Sequence, residues 1–400
     1  MAGDPFQAIV GVDHCQLARD ESIDGVPITL VVRPGTPAEV AACLKQARES
    51  ERPLVARGGG SKLRWGNRAR TSALVCLDLG RLVKGLELEP DEGIVTLAAG
   101  ISVDALARAA AEHRKRTLLC SHYPEATVGG TIAVDPLGPE FAPDWRLRND
   151  ILGLQVAHPD GQLERCGGRV VKNVTGFDMV RLYCGSFGTL GIITEATLRL
   201  RPLPEARRIL CRNFESRELA CVASHKLLRL DPRAALLRSE GKGVALFWLL
   251  EGGEADVSLR ARAYEGRPAE TRDWAALCDE VAGLASGAAN TARIRVSARP
   301  SDVLAICAEL ESLAGEGSLR LVQPLVGIVL AEVPGATLDR VFERAREQQW
   351  LVFVERATVA QKERIDVFGP SPDMLPLMRT LKQRFDPNGV LAPGRFVGGI

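Results

Sequence analysis

Apolar positions recur at two periods along the first half of the chain, and each period predicts a different element. Val40, Leu44 and Ala47 fall on one helical face, three to four residues apart. Thr36-Pro37-Ala38-Glu39 precedes them as a capping box with Pro at the first helical position. Short apolar runs at Pro53–Ala56, Ala73–Leu79 and Ile94–Ala98 read as strands, and Ser102 caps a helix over Val103–His113. From Thr127 to about Gly168 the pattern dissolves into Gly and Pro, and so long an irregular stretch points to function. Within it, Leu152–His158 reads as a strand ending in the turn Pro159-Asp160-Gly161, and a helix is expected around Met179–Cys184. Thr194, Ala196, Leu198 and Leu200 then alternate with Glu195, Thr197, Arg199 and Arg201, a strand of period two that Pro202 and Pro204 end.

Beyond residue 204 the rhythm changes. Strands are expected at Val244–Leu250, Arg293–Arg299, Ser318–Leu330 and Leu351–Glu355. Helices are expected at Asp302–Ala314, capped by Ser301, and Leu338–Gln348, capped by Thr337. Glu251–Glu254 reads as a surface loop, and the whole as an α+β layer with helices on one side of a sheet.

Composition narrows the function classes. With 400 residues the chain is too long for one ordinary core, so two domains are expected. A net charge of +1 argues against a general nucleic-acid or membrane-surface binder. No stretch approaches the roughly 18 apolar residues of a spanning helix. MAGDPFQAIV has no basic region before an apolar run, so no secretion signal is expected and the cytoplasm is the expected location. The ten cysteines stand singly, with no CxxC, and read as reduced, mostly buried thiols. The five histidines form no HxH, HExxH or HxxxH, so no metal site is expected.

Three stretches carry candidate chemistry. In RGGGSK (57–62) bare backbone follows a strand, a nest suited to phosphate oxygens, although a flexible turn would leave the same trace. It is neither a Walker A loop nor a Rossmann GxGxxG. GSFGTLGIIT (185–194) leads into a strand, which fails the Rossmann context and leaves tight turn packing as the plain alternative. In VKNVTGFDMVRL (171–182) Lys172 and Asp178 are an internal pair or surface groups, and Asn173-Val174-Thr175 is a chance sequon.

Order and spacing add what no single stretch supplies. PLVARGGGSKLRWG (53–66), ATVGGTIAVDPLGP (126–139), the run from Arg148 to Pro204 and FDPNGVLAPGRF (385–396) together resemble the vanillyl-alcohol-oxidase-like, PCMH-type flavoproteins. The resemblance implies an α+β chain: a two-subdomain FAD-binding domain over 1–204, an α+β cap of antiparallel sheet plus helices over 205–375, and a segment 376–400 returning to the FAD domain. It implies that Arg57, Gly58, Gly59, Gly60, Ser61 and Lys62 form the pyrophosphate loop. It carries His122, Thr127, Val128, Gly129, Gly130, Val134, Asp135 and Gly138 onto segments along the isoalloxazine and ribityl parts. It carries Gly188, Thr189, Leu190, Gly191, Ile192 and Ile193 onto a stretch closing over the cofactor. The glycines are then expected where side chains would collide with the dinucleotide. An all-glycine loop, lacking the histidine some relatives bond to flavin, implies non-covalent FAD. VERATVAQKERIDVFGP (354–370) is similar to the FAD-binding subunits of glycolate-oxidase-like complexes. That likeness implies a catalytic FAD subunit and an iron–sulfur subunit as partners, a small 2-hydroxy acid as substrate, and membrane association only through the partners.

Departures are visible too. Asp135 and Pro136 are unusual after TVGG, and Ala392 stands where relatives carry Asn before Pro. The only histidine after residue 160 is His225, so the HxH-plus-acid metal site of the stand-alone 2-hydroxyacid dehydrogenases has no counterpart. Arg293, Arg295, Arg299, Arg356 and Arg364 are expected to face solvent or pair locally, and the sequence assigns no catalytic base.

Overall fold

A computed structural model describes residues 4–119, 123–137, 146–169, 178–240, 243–270, 273–282 and 290–400. The described chain divides into two compact units: one built from residues up to Leu137, Arg146–Leu203 and Ser371–Ile400, the other on Pro204–Pro370.

The first unit holds two sheets. In one, Cys15–Leu17, Val26–Val32, Leu74–Asp78 and Leu54–Arg57 lie in that order, the last two junctions parallel. The parallel junction needs a crossover, and the helix Pro37–Glu49 supplies it. Its Val40, Cys43, Leu44 and Ala47 are buried as the 3.6-residue period demands. Thr36 caps it through the Glu39 N–H, but the Glu39 carboxylate reaches past the cap to the Gly35 N–H at 2.7 Å, so the box is not closed on Thr36. The other sheet runs Leu163–Gly167, Ile151–Ala157, Ile192–Arg199, Ile94–Ala98, Leu86–Glu89, all antiparallel. Ile192–Arg199 is central, which is why Thr197, on its polar alternation, is buried as well. The stretch expected to be irregular from Thr127 contains a helix, Val128–Val134, capped by Thr127, whose hydroxyl accepts the Gly130 N–H. Its two glycines hide it from a propensity reading.

The second unit is one eight-stranded antiparallel sheet. Alternation sorts its side chains between two cores: Leu246, Trp248 and Leu250 on one face, Ala245, Phe247 and Leu249 on the other. Helices cover both faces rather than one, because Trp274, Leu277 and Cys278 of the helix Trp274–Ala282 pack in the second core. The single strand expected over Ser318–Leu330 is a hairpin of Leu319–Gln323 and Ile328–Pro334. Pro324 ends the first strand, and Gly327 turns the chain at φ +74°. Ser301 and Thr337 do not cap their helices, since a 3-10 turn precedes each and leaves them inside helical backbone. The Ser301 hydroxyl instead donates to Asp302 and that of Thr337 to the Pro334 carbonyl.

Candidate functional site

The strand Leu54–Arg57 is pinned on both edges. Leu74–Asp78 pairs with one, and on the other the Leu54 N–H donates to the Val390 carbonyl while Leu54 accepts from the Ala392 N–H, both at 2.8 Å. The chain leaves this clamp at Arg57 and enters Gly58-Gly59-Gly60-Ser61. Among the described residues none of the backbone N–H groups of these four donates to a protein acceptor. Four consecutive donors so placed form a site for anionic oxygens. They rim a cleft enclosing about 810 Å³, part of it open solvent. Its walls are apolar: Val55, Leu79, Ala99, Ala133, Ile192 and Phe187.

The glycines are fixed by the protein's own packing. A Cβ on Gly58 would overlap the Thr127 hydroxyl, and one on Gly59 the Glu125 carbonyl. One on Gly129 would meet Ala99 Cβ at 2.7 Å, and one on Gly191 would meet Val156 Cγ1 at 2.5 Å. The expectation that these residues are glycine to clear a dinucleotide is therefore incomplete: they first let two loops and a strand close on each other. Gly60 differs: a Cβ there would meet only the Arg57 side chain, in ordinary contact at 3.8 Å, and its φ is +76°.

Cations near the loop have separate fates. The Arg57 guanidinium is spent within the protein, donating to Glu21 at 2.7 Å and Asp78 at 2.9 Å. Lys62 is buried, bonds Ser61 and lies over the Tyr123 ring at 5.3 Å. Arg395, from the C-terminal segment, also lines the cleft and is only 4% exposed. Its Nη2 donates to the carbonyls of Leu63 and Trp65, whereas its buried Nη1 has no partner.

Residues 28–167 match the family described as "FAD binding domain". Over 361 residues the chain is 30% identical to the glycolate oxidase subunit GlcE of Escherichia coli, covering 88% of this chain and 95% of that one. The chain belongs to the PCMH-type FAD-linked oxidoreductases. A D-lactate dehydrogenase of Archaeoglobus fulgidus is 31% identical over 245 residues, 59% of this chain and 54% of that one. In fold, the chain is similar to p-cresol methylhydroxylase, with a TM-score of 0.75 at 16% identity over 98% of this chain and 95% of that one.

The geometry fits the family's cofactor. Unengaged N–H groups suit a diphosphate, the apolar walls suit a flat ring system, and an orphaned guanidinium nitrogen awaits an acceptor. Of the residues marked by the sequence, Arg57 to Lys62, Thr127, Gly129, Gly130, Val134, Gly188, Gly191, Ile192 and Ile193 line this cleft. Val128, Thr189 and Leu190 are buried outside its lining, and the Thr189 hydroxyl bonds the Ser186 carbonyl. Asp135 ends the helix at φ +48°, its N–H bonding the Thr131 carbonyl; burial first, then its carboxylate, pushes the neighbouring Cys184 thiol up. His122 and Gly138 lie outside the described residues, as does Val171–Gly176. Arg395 and Phe187 were not marked. The only hint of Arg395 was a lone Gly-Arg in the tail, far in sequence from the loop it grips.

In the second unit His225 is exposed. The five named arginines are all paired: Arg293 and Arg356 with Glu332, Arg295 with Glu355, Arg299 with Asp302, Arg364 with Asp339. Among the described residues no group of three or more His, Cys, Asp or Glu is placed to hold a metal, and no helix is long and apolar enough to cross a membrane. The nine described cysteines are free thiols, eight of them buried.

Proposed function

We propose that this chain is the FAD-binding subunit of a glycolate-oxidase-like complex, taking part in oxidation of a 2-hydroxy acid, glycolate to glyoxylate. The observation that carries the reading is the run of unengaged N–H groups from Gly58 to Ser61 on an apolar cleft. The end-to-end likeness to a protein named as a glycolate oxidase subunit supports the assembly. Its partners in this reading are a catalytic FAD subunit and an iron–sulfur subunit, in the cytoplasm, with any membrane contact made through them.

Bound FAD supplies the acceptor for the two electrons that leave with hydride from the hydroxyl-bearing carbon. This chain's residues bind and orient it. The loop N–H groups would hold the diphosphate, and the apolar residues Val55, Leu79, Ala99 and Ile192 of the same cleft would exclude water from the ring system. In this reading the attachment is non-covalent, so acid precipitation should release all the flavin into solution. Within the proposal the electrons pass to or from the partner subunits, and no base is assigned here.

The test is an absorption spectrum of the purified chain, before and after anaerobic glycolate or D-lactate, then after adding the partner subunits. Flavin bands that stay oxidised until the partners arrive support the proposal. Bleaching by substrate alone makes the chain a self-sufficient dehydrogenase. Protein that is colourless and takes up no added FAD is a scaffold, and the proposal fails.

A further inference from the structure

Arg395 is held through its backbone and through Nη2. Its N–H donates to the Ala392 carbonyl at 3.1 Å, and its carbonyl accepts from the Asn67 N–H at 3.0 Å. The preceding Gly394, at φ +80°, sits so close to Arg70 that a Cβ would overlap its side chain. The guanidinium is gripped through Nη2 by the carbonyls of Leu63 and Trp65, the latter at 2.7 Å. Those carbonyls immediately follow the glycine loop. Among the described residues no carboxylate is in ion-pair contact with Arg395, and Nη1 is buried with no partner. Burial pulls the guanidinium below its ordinary pKa, and the charge of Asp24 offsets only part of that. Arginine nevertheless remains a cation. A buried cation without an anion in contact is costly, and a donor left unmade adds to the cost.

Resting on the flavoprotein reading above, we propose that Arg395 supplies the positive charge that holds the pyrophosphate of the bound dinucleotide, through Nη1. The loop's N–H groups carry only partial charge, a diphosphate brings two negative charges, and Arg57 is already committed to Glu21 and Asp78. Arg395 lines the same cleft and is anchored to the residues that end the loop. The bonds at Nη2 and along the backbone fix the position of Nη1 before any ligand arrives, so little ordering is lost on binding. The C-terminal segment thereby becomes part of the cofactor site as well as an edge of the sheet.

The experiment uses the full chain freed of nucleotide and titrated with FAD, ADP and riboflavin, for wild type, Arg395→Met and Arg395→Lys. FAD and ADP share the diphosphate, and FAD and riboflavin share the ring. Arg395→Met should weaken FAD and ADP by a common factor of about 10 to 100 and leave riboflavin unchanged, the scale of a charge-assisted bond. Arg395→Lys should recover part of the loss. A loss confined to FAD and riboflavin would place the guanidinium on the ring and overturn the proposal. So would a lowered melting temperature with all three affinities intact, the mark of a purely structural residue. If Arg395→Met does not fold, Arg395→Lys decides: lysine cannot grip two carbonyls and an anion at once, so unchanged FAD and ADP affinity refutes the role. Wild-type chain that binds ADP but not FAD removes the flavin reading while the ADP ratio still tests Arg395. Wild-type chain that binds neither overturns both.

Discussion

Gly59 and Gly60 are adjacent, yet they are glycine for different reasons. A methyl group on Gly59 runs into the Glu125 carbonyl, part of a backbone that cannot rotate away. A methyl group on Gly60 meets nothing closer than Arg57 Cδ at 3.8 Å, and its burden is the left-handed backbone alone. Gly59→Ala should therefore cost about 1–3 kcal/mol as overpacking does and weaken FAD binding by displacing the loop. Gly60→Ala should cost about 1–2 kcal/mol, the penalty of that conformation, with a smaller effect on affinity. Thermal melts and FAD titrations of both variants check this. A Gly59→Ala protein as stable and as avid as wild type would refute the packing argument. The loop was legible in the sequence because a glycine triplet after a strand is a local signal. Its reason was not, because Glu125 and Thr127 approach it from a distant part of the chain. Arg395 was illegible on the same ground: the Trp65 carbonyl it grips is 330 residues away.

The tail element is held by one buried ion pair. Lys382 Nζ donates to Asp386 at 2.6 Å, to the Leu391 carbonyl at 2.8 Å and to the Thr189 carbonyl at 3.0 Å. Asp386 in turn accepts the N–H groups of Val390 and Leu391, which position the segment that pairs with Leu54. In the sequence Asp386 reads as part of a Asp-Pro-Asn-Gly turn; nothing local announces that its carboxylate organises the following strand edge. Asp386→Ala should be strongly destabilising, about 3–5 kcal/mol, because it leaves a buried ammonium without its counter-ion. Lys382→Met should cost less, and the double variant less than Asp386→Ala alone. Urea unfolding of the set is the check, and strictly additive losses would show that the pair does not act as a unit. The same local blindness explains the missed strand Ala206–Phe214: Arg207, Arg208 and Arg212 break its apolar pattern. Each finds an acidic partner, Glu251, Glu254 and Glu265 respectively.

At the scale of the whole molecule, what was legible is what repeats. Alternation and helical period gave the strands and helices of the first half and the α+β layer of the second, and the order of the glycine motifs gave the resemblance to the family. Edges, caps and the choice between one strand and a hairpin depended on single residues such as Pro324. The scattered cysteines, uninformative as a motif, carry a common physical consequence. Burial pushes the thiols of Cys43 and Cys76 up to about 12 and that of Cys166 to about 11 in the first unit. It does the same in the second for Cys221, to about 11, and Cys307, to about 12. The ordinary value is 9.0, so the folded protein holds these protons more tightly than the unfolded chain. Their contribution to stability is complete below about pH 9 and declines as pH rises toward 11 to 12, where the folded thiols also ionise. Unfolding free energy should therefore fall between about pH 9 and 12, and a thiol reagent should reach these five cysteines only as the protein unfolds. Lysines and tyrosines titrate in the same range, so the decisive comparison is with a variant carrying Cys43→Ala and Cys307→Ala. Its stability at neutral pH is lower, but its slope with pH should be shallower. An unchanged slope would mean that these thiols ionise in the native state as readily as in the unfolded chain, and that burial does not protect them.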